Sequence, residues 1–391
     1  MKKLVRFPLY VMFAVLSAGV LVACSDDDDS GEGIYSQKDK ELLPIVEQYV
    51  NKTVIPTYTK LADATIDLVE ALVELQENRT DANVKAATDA WIETRTHWEL
   101  SEAFLFGAAS DFGIDPHIDT WPLDKAALDQ LLRNTAFMNS LAGEDGDVWA
   151  GEHLGSALLG FHGIEYVIYS NGKPKSAAGI TDNELIYAVA VAGDLRNCCI
   201  QLEVSWAGDK SSQDKRNLME ELEFQVTPSN SSLSYGENML NAGLPGSTYK
   251  TVRAAAAQIL DGAFVIADEV GNVKIGNAAS GDDVNYIESP FSHNSLTDFI
   301  DNVKSIENVF YGGAYDNRNE SKSLSAYLKK VNPTVEKAVA DAITASYTAI
   351  NAIPAPFVLN YADPKADAAV IVVGETLANA LIAAKTVISE E

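Results

Sequence analysis

The sequence predicts an all-α protein made of two helical bundles, with about four helices in each. Apolar residues recur every three or four positions over most of the chain, which is the spacing of one face of an α-helix. No alternating apolar pattern long enough for a strand competes with this spacing. A polar segment over residues 206–247, rich in Ser, Asn, Gly and Pro, divides the helical part into two halves.

The N-terminal part of the chain is predicted to be a leader followed by a tether. A basic N-terminus precedes an apolar run that ends in Leu21-Val-Ala-Cys24, a layout that resembles the signal peptide and lipobox of bacterial lipoproteins. We therefore expect residues 1–23 to be a signal peptide. Cys24 would carry the lipid that anchors the chain to the outer membrane.

An acidic tether is expected over residues 24–37, where aspartate occupies positions 26–29 directly after Ser25. Such a charge run is a solvated segment in any setting. Its position after the lipobox also resembles the export signal of surface lipoproteins in Bacteroides-like bacteria. We expect the chain to be exposed at the cell surface, with an anchor that faces the periplasm as the alternative.

Size and charge narrow the class of protein further. About 355 residues follow the leader and tether, which is more than one hydrophobic core usually serves. We expect an N-terminal bundle over residues 38–205, a connecting segment over 206–247 and a C-terminal bundle over 248–391. The formal net charge of -27 would repel phosphate, so nucleic acid is not expected as a partner.

The first half is predicted to form long helices because its apolar residues lie three or four positions apart. One helix covers residues 38–77 and is interrupted at Pro56, since proline cannot donate the hydrogen bond of a helix interior. The others cover residues 81–106, 152–169 and 182–204.

The second half repeats this pattern after the polar segment. Helices are predicted over residues 249–270, 296–311, 324–349 and 365–389. The similar number of helices in the two halves suggests a duplication, but the internal repeat is too faint to support it.

Residues 160–165 place an imidazole and a carboxylate inside an apolar helix. His162 and Glu165 are three apart, so they project from nearly the same face and could share a metal ion or a proton. Gly160 and Gly163 are expected at helix-interior positions, where each costs up to about 1 kcal/mol against Ala unless a neighbour packs closely. The structural alternative is a buried histidine hydrogen-bonded to a carboxylate.

A stripe along the second predicted helix combines indoles with charges. Trp91, Arg95, Trp98 and Glu102 are spaced four, three and four residues apart. Arg95 and Glu102 are not readily buried without partners. Glu102 could face His162 and supply another oxygen ligand, while Arg95 orients a carboxylate or an anion. The alternative is an internal ion-pair network.

The loop over residues 115–124 is rich in proline and acidic residues. His117 and Asp119 could be metal ligands, but we expect Asp119 to cap the loop in preference to binding a metal. A helix is predicted to start near Thr120 and Pro122, because proline is favoured in the first turn of a helix.

A second polar segment, residues 288–298, precedes an apolar helix. Ser292 or Ser295 could cap that helix, and Ser295 with Asp298 forms the Ser-x-x-Asp signal of a helix start. A helix N-terminus also attracts anions, so this segment could close a site formed with the first half. Glu288 would then supply an extra carboxylate.

Several common catalytic signatures are absent from the sequence. It has no His-Glu-x-x-His motif, no Gly-x-Ser-x-Gly elbow, no phosphate-binding loop and no dinucleotide fingerprint. Cys198 and Cys199 are adjacent on a predicted helix, where their side chains point apart and are expected to be buried thiols. A conventional hydrolase or nucleotide enzyme is not expected.

Together, these motifs resemble the imelysin-like family, whose hallmark Gly-x-His-x-x-Glu corresponds to Gly160, His162 and Glu165. The similarity spans about residues 38–390. Supporting matches lie at residues 91–104, 121–124, 288–292 and 306–312. The resemblance implies a functional site between two helical bundles, in an extracytoplasmic lipoprotein linked to bacterial iron uptake.

The resemblance implies that His162 and Glu165 form the core of the site. They would be metal ligands, and another helix would have to supply a third, for which Glu102 is the candidate. The residues expected around them are Arg95, Trp98, Asp119, Glu288 and Ser292. A mostly oxygen-based site with one imidazole suits iron at least as well as zinc. Haem is a further candidate ligand.

Three functions are compatible with this reasoning. The first is a surface lipoprotein that captures iron or an iron-bearing ligand, with an outer-membrane transporter as a candidate partner. The second is a metallopeptidase that uses His162 and Glu165 as ligands, although no general base is evident for it. The third is a surface protein that binds a polypeptide or a glycan without a metal.

Overall fold

Regular structure in this protein is almost entirely helical. The computed structural model describes residues 35–390, so the predicted signal peptide, Cys24 and the tether up to residue 34 lie outside the described residues. Two short strands, Tyr169–Ser170 and Lys173–Pro174, pair antiparallel beside the helices. The predicted all-α fold class is confirmed.

The helices lie in the following order along the chain. Those up to residue 207 are α1 Gln37–Tyr49, α2 Ile55–Glu77, α3 Asp81–Glu99, α4 Ala108–Asp111, α5 Ile114–Ile118, α6 Lys125–Leu131, α7 Thr135–Leu141, α8 Gly146–His153, α9 Gly160–Ile168 and α10 Asp182–Ala207. Those after it are α11 Gln213–Glu221, α12 Tyr235–Leu240, α13 Val252–Asp268, α14 Gly276–Ala279, α15 Ser295–Tyr311, α16 Leu324–Val331, α17 Pro333–Ala352, α18 Phe357–Asn360, α19 Pro364–Val370 and α20 Ala378–Ser389.

The first predicted helix is interrupted near Pro56, as its sequence indicates. A π-helical segment, Val50–Val54, joins α1 to α2, and Pro56 lies in the first turn of α2. Val54 and Ile55 both have α-helical φ and ψ, so the chain stays helical, and the change of hydrogen-bond spacing in the π-helical segment accommodates the missing N–H of Pro56. Similar π-helical segments, Glu269–Ile275 and Ile371–Leu377, follow α13 and join α19 to α20.

The second predicted helix is shorter in the structure than its periodicity suggests. α3 ends at Glu99, and the chain continues in a 3-10 turn, Glu102–Phe104. Ser101 Oγ donates a hydrogen bond to the carbonyl of Trp98 at 2.7 Å, which satisfies one of the free carbonyls at the helix end. Glu102 therefore does not continue the helical stripe that contains Arg95.

The helix that carries His162 begins at Gly160 and not near residue 152. Gly160 has φ +68°, and a Cβ on it would lie 1.7 Å from the carbonyl oxygen of Ile118. Only glycine fits this position, which is a helix start and not the predicted interior position. A Cβ on Gly163 would lie 2.1 Å from Tyr187 Oη, so the close neighbour predicted there is confirmed.

Side-chain caps decide where α6 and α17 begin. The helix predicted to start near Thr120 begins at Lys125, where Asp124 accepts a hydrogen bond from the backbone N–H of Ala127 at 2.9 Å. The helix predicted over residues 324–349 is divided into α16 and α17 at Asn332, which caps the second helix ahead of Pro333. Proline favours a new helix start there over continuation.

α10 lies at the centre of the packing and contacts α2, α8 and α9. By length and composition, Asp182–Lys210 could cross a membrane, but 83% of its apolar window is buried inside the protein, as in a core helix. Pro364–Ser389 passes the same test with 44% buried.

One hydrophobic cluster takes side chains from both predicted halves. Contacts group the chain from Tyr35 onward into one unit. The predicted segment over residues 206–247 contains α11 and α12. The division into bundles over 38–205 and 248–391 stays a prediction.

Candidate functional site

Arg95, near the C-terminal end of α3, lies at the centre of a buried polar cluster and is 0% exposed. Its Nη2 lies 2.7 Å from Glu288 Oε1, and its Nε lies 3.8 Å from Asp298 Oδ1. The guanidinium also pairs with Glu99, one turn along the helix, and with Asp119. Burial opposes the charge, but these carboxylates outweigh it and raise the pKa of Arg95 well above its usual value. Arg95 therefore draws together carboxylates from separate parts of the chain.

Asp119 follows α5 and joins Arg95 to the histidine. Its Oδ2 accepts a hydrogen bond from Trp98 Nε1 at 2.7 Å, and its Oδ1 pairs with Arg95. Oδ1 also lies 3.2 Å from His162 Nε2. Burial disfavours the carboxylate, but Arg95 and His162 outweigh it and hold the pKa of Asp119 well below its usual range. Both oxygens are engaged in the cluster, so the predicted role of Asp119 as a loop cap is wrong.

His162 projects from α9 into the same cluster and is 1% exposed. Its Nδ1 lies 3.2 Å from Glu165 Oε2. Its Nε2 is close to Asp119 but is not aligned for a hydrogen bond and has no hydrogen-bond partner. Burial opposes the imidazolium, but the Asp119 and Glu165 carboxylates outweigh it and raise the pKa of His162 to about 9. A cation that binds Nε2 must therefore displace a proton.

Glu165 ties α9 to the segment that precedes α15. Its Oε1 accepts hydrogen bonds from the backbone N–H groups of Phe291 and Ser292, at 2.9 and 2.7 Å, and from Ser292 Oγ at 2.7 Å. The predicted cap by Ser292 is wrong, because the N-cap of α15 is Asn294 and it makes no side-chain cap. Glu165 contributes no ligand atom to the possible metal groups found within residues 35–390.

Ser295 is engaged in the same segment. Its Oγ donates a hydrogen bond to the carbonyl of Glu288 at 2.6 Å. The predicted cap by Ser295 is therefore also wrong, and its side chain instead holds the Glu288 segment against the start of α15.

Lys274, in the π-helical segment after α13, is a cluster member that sequence reasoning did not identify. It is 1% exposed, and its Nζ lies 3.0 Å from Glu288 Oε1, 3.4 Å from Glu102 Oε1 and 3.5 Å from Glu99 Oε2. The ammonium also lies 5.4 Å from the ring centroid of Trp121. Burial opposes its charge, but the carboxylates outweigh it and raise the pKa of Lys274 well above its usual value.

Carboxyl groups outnumber strong bases in this cluster. Five acidic side chains contact Arg95 or Lys274, namely Glu99, Glu102, Asp119, Glu288 and Asp298. Burial raises the pKa values of Glu99 and Glu102 well above the usual range, against the effect of the nearby bases. Burial also raises the pKa of Asp298 to about 7. Protons bound to these carboxyl groups therefore offset part of the excess negative charge of the cluster.

Possible metal ligands occur within this cluster. One ligand atom each from Asp119, His162 and Glu288 lie within 4.8 Å of one another. Two atoms of these residues have no hydrogen-bond partner, His162 Nε2 and Glu288 Oε2. Two further groups consist only of carboxylates, drawn from Glu99, Glu102, Asp119, Glu288 and Asp298. The donor set of one imidazole and several oxygens fits a first-row divalent cation.

His162 also lines a cavity of about 500 Å³. The other lining residues are mostly apolar and include Trp121, Ile287 and Phe291, with Lys125 as the cationic member. Its volume lies in the range of small-molecule pockets, so a ligand in this cavity could reach the imidazole.

Apart from His117, which pairs with Asp194 elsewhere, the predicted site residues within the described part of the chain belong to this cluster or contact it. They are Arg95, Trp98, Glu102, Asp119, His162, Glu165, Glu288 and Ser292. Glu102 pairs with Lys274 and is in no possible ligand group with His162. Its role as a third ligand stays a prediction. The sequence did offer a signal for Glu99 as a partner of Arg95, because Glu99 lies one helical turn after it.

The fold and this cluster define a class of all-helical proteins in which a Gly-x-His-x-x-Glu motif supplies an imidazole to a buried group of carboxylates. The sequence profile of imelysin matches residues 54–388, which is most of the chain. The chain belongs to the imelysin family, as its motifs indicate.

Relatives of this chain include a protein named for iron regulation. Iron-regulated protein A of Synechococcus elongatus is 28% identical over 326 residues, which cover 83% of this chain and 80% of that protein. The crystal structure of an iron-regulated protein A precursor from Parabacteroides distasonis has a TM-score of 0.72 at 26% identity and covers 92% of this chain and 97% of that one. An imelysin-like protein from Psychrobacter arcticum shares the fold, with a TM-score of 0.56 at 14% identity over 90% of this chain and 93% of that one.

Proposed function

We propose that this protein binds a metal ion, iron or an iron-bearing ligand, at the His162 site and serves in iron acquisition. The observation that carries the proposal is a buried imidazole nitrogen, His162 Nε2, that has no hydrogen-bond partner and faces two carboxylates. Asp119 Oδ1 lies 3.2 Å from this nitrogen without an aligned hydrogen bond, and a bound cation would satisfy both atoms.

The residues that would hold the ion are His162, Asp119 and Glu288. The oxygen-rich donor set favours a hard or borderline cation such as ferrous iron, while affinity order alone would not select iron over zinc. The names of the two iron-regulated relatives support iron as the first choice. Glu165 would orient the imidazole of His162, because its contact with Nδ1 leaves Nε2 as the nitrogen that faces the ion.

The buried bases and protons would compete with the ion. Lys274 and Arg95 both contact Glu288 Oε1, so the free oxygen of that carboxylate, Oε2, is the one open to a metal. Binding would displace the His162 proton and shift protons from the neighbouring carboxyl groups. The ion would therefore bind in competition with protons and with these two bases.

We also propose that the chain acts in the cell envelope, anchored to the outer membrane through a lipid on Cys24 and exposed at the surface. The lipobox and the acidic run after it support this proposal. The word precursor in the name of the Parabacteroides distasonis protein supports export. An outer-membrane transporter would be the partner that receives the ion.

Elemental analysis would test the metal site. The protein, purified without a His-tag, would be reconstituted anaerobically with ferrous iron or zinc beside His162→Gln and Glu288→Gln. We expect the wild type to bind about one more ferrous ion per chain than either variant does. The matched control is His153→Gln, because His153 is exposed and lies outside the cluster.

The same experiment separates the other functions. Equal binding of ferrous iron by the wild type, His162→Gln and Glu288→Gln would contradict the assignment of these ligands. Chelator-sensitive protein cleavage lost in folded His162→Gln would favour a metallopeptidase. That function lacks an evident base, because Glu165 Oε1 already accepts three hydrogen bonds. No metal in any sample would favour a polypeptide- or glycan-binding protein.

A further inference from the structure

A second group of donor side chains lies outside the Arg95 cluster. His117 Nε2 lies 2.8 Å from Asp194 Oδ2. Cys198 contributes a third donor, and one ligand atom from each of these residues lie within 4.8 Å of one another. Cys198 is a free thiol that makes no disulfide. Imidazole, carboxylate and thiol are thus gathered at one point of the fold.

Local structure explains how these donors meet. Asp194 and Cys198 are four residues apart on α10 and project from the same face. His117 comes from the short helix α5, which packs against α10. Gly151 of α8 allows the carboxylate to approach, because a Cβ there would lie 2.2 Å from Asp194 Oδ1.

All three side chains line a cavity of about 820 Å³. Asp194 and Cys198 are buried, whereas the His117 side chain is 26% exposed. Two of the donor side chains are held in place by burial, and the third can be reached by an ion from solvent. These are the properties expected of a metal site that exchanges its ion.

We propose that His117, Asp194 and Cys198 form a second cation site, which takes a zinc-class ion and opens into the 820 Å³ cavity. This second site is separate from the iron site proposed above, and the two sites share no ligand residue.

The donor chemistry selects the class of ion. Zinc takes cysteine, histidine and carboxylate ligands, and three protein ligands leave its fourth position for water or another ligand. A thiolate favours zinc over magnesium or calcium, which prefer oxygen donors. The fourth position would face the cavity, where an electron-donating group of a small molecule could occupy it.

The donor atoms must move apart or together to reach the ligand spacing of zinc. Nitrogen and oxygen ligands of a tetrahedral zinc are about 3.4 Å apart, given bond lengths of about 2.0–2.2 Å. The present separation of 2.8 Å between His117 and Asp194 would therefore widen by about 0.6 Å. Zinc would replace the proton between these two groups and release the proton of the Cys198 thiol, leaving a neutral imidazole and a thiolate as ligands.

Cobalt(II) provides the test, because it takes zinc sites and gives a sulfur-to-cobalt charge-transfer band when a thiolate is bound. We expect this band when Co²⁺ is added to the full-length chain, and its loss when Zn²⁺ but not Mg²⁺ is added in excess. Cys198→Ser should abolish the band, and the matched variant Cys199→Ser should keep it. His117→Gln changes a partly exposed side chain and should weaken cobalt binding at least tenfold without unfolding the protein.

His162→Gln separates this site from the iron site and should leave the band unchanged. The proposal is overturned if wild-type protein shows no thiolate band, if the band survives in Cys198→Ser, or if it is lost in His162→Gln but kept in His117→Gln. A folded Asp194→Asn variant with undiminished cobalt affinity would remove the carboxylate from the ligand set.

Discussion

The His162 site and the His117 site differ in the charged groups that already contact their donor atoms. The His162 site lies in a cluster where Arg95 and Lys274 already contact the carboxylates. Within residues 35–390, Asp194 of the His117 group forms an ion pair only with His117. We therefore expect a metal to bind at the His162 site only in competition with these bases, and at the His117 group without such competition.

Loss of Arg95 should have the largest effect. Arg95→Leu leaves several carboxylates buried without their central cation and should destabilise the protein by about 3–5 kcal/mol. Chemical denaturation would measure the change in the free energy of unfolding. The control is Arg79→Leu, because Arg79 pairs with an exposed Asp182 and should cost no more than about 1 kcal/mol. Equal effects of the two changes would contradict the dependence of the cluster on Arg95.

Lys274 should act as a competitor of the metal at the His162 site. Lys274→Met removes an ammonium that contacts Glu288, so the metal-free variant should be less stable by about 3 kcal/mol. Bound metal should then restore more stability to the variant than it adds to the wild type, since it replaces the missing charge. Thermal unfolding with and without ferrous iron measures both effects. A smaller metal effect in the variant would show that Lys274 assists binding.

The histidines should also differ in their effect on stability across pH. The folded pKa of His162, about 9, lies above the usual value of 6.5, so its contribution is fully present below about pH 6.5 and is lost as pH rises through 9. The difference in unfolding free energy between metal-free wild type and His162→Gln should therefore shrink by up to roughly 3 kcal/mol over this window.

His117→Gln is the comparison for that experiment. The hydrogen bond with Asp194 raises the pKa of His117, but its side chain is partly exposed, so we expect a smaller pH-dependent difference. Denaturant titrations at several pH values would measure both variants. A His162 difference that does not change between pH 6 and pH 9.5 would contradict the ion pairs assigned to this histidine.

Two glycines provide the smallest expected effects, one at each site. A Cβ at Gly163 would lie 2.1 Å from Tyr187 Oη, and one at Gly151 would lie 2.2 Å from Asp194 Oδ1. Gly163→Ala and Gly151→Ala should each cost about 1–3 kcal/mol through overpacking. Only the second should also weaken cobalt binding. Gly155→Ala has no neighbour within 4 Å and should be near neutral, as thermal unfolding would show.

The sequence by itself determined the features that depend on local spacing. The apolar period predicted the helical class and most long helices, including α10, because helix periodicity is a property of neighbouring residues. The three-residue spacing of His162 and Glu165 predicted their contact for the same reason. The family motifs pointed to Glu288 and Ser292, which the structure places beside them.

Tertiary structure decided how these parts are joined. Lys274 meets Glu99 and Glu102 across more than 170 residues of chain, and no local pattern marks a lysine for such a position. The start of α9 depends on the approach of Ile118 to Gly160, and the role of Asp119 depends on Arg95. These features follow from packing and from the need to pair buried charges, which depend on partners that are distant in sequence and become neighbours only when the chain folds.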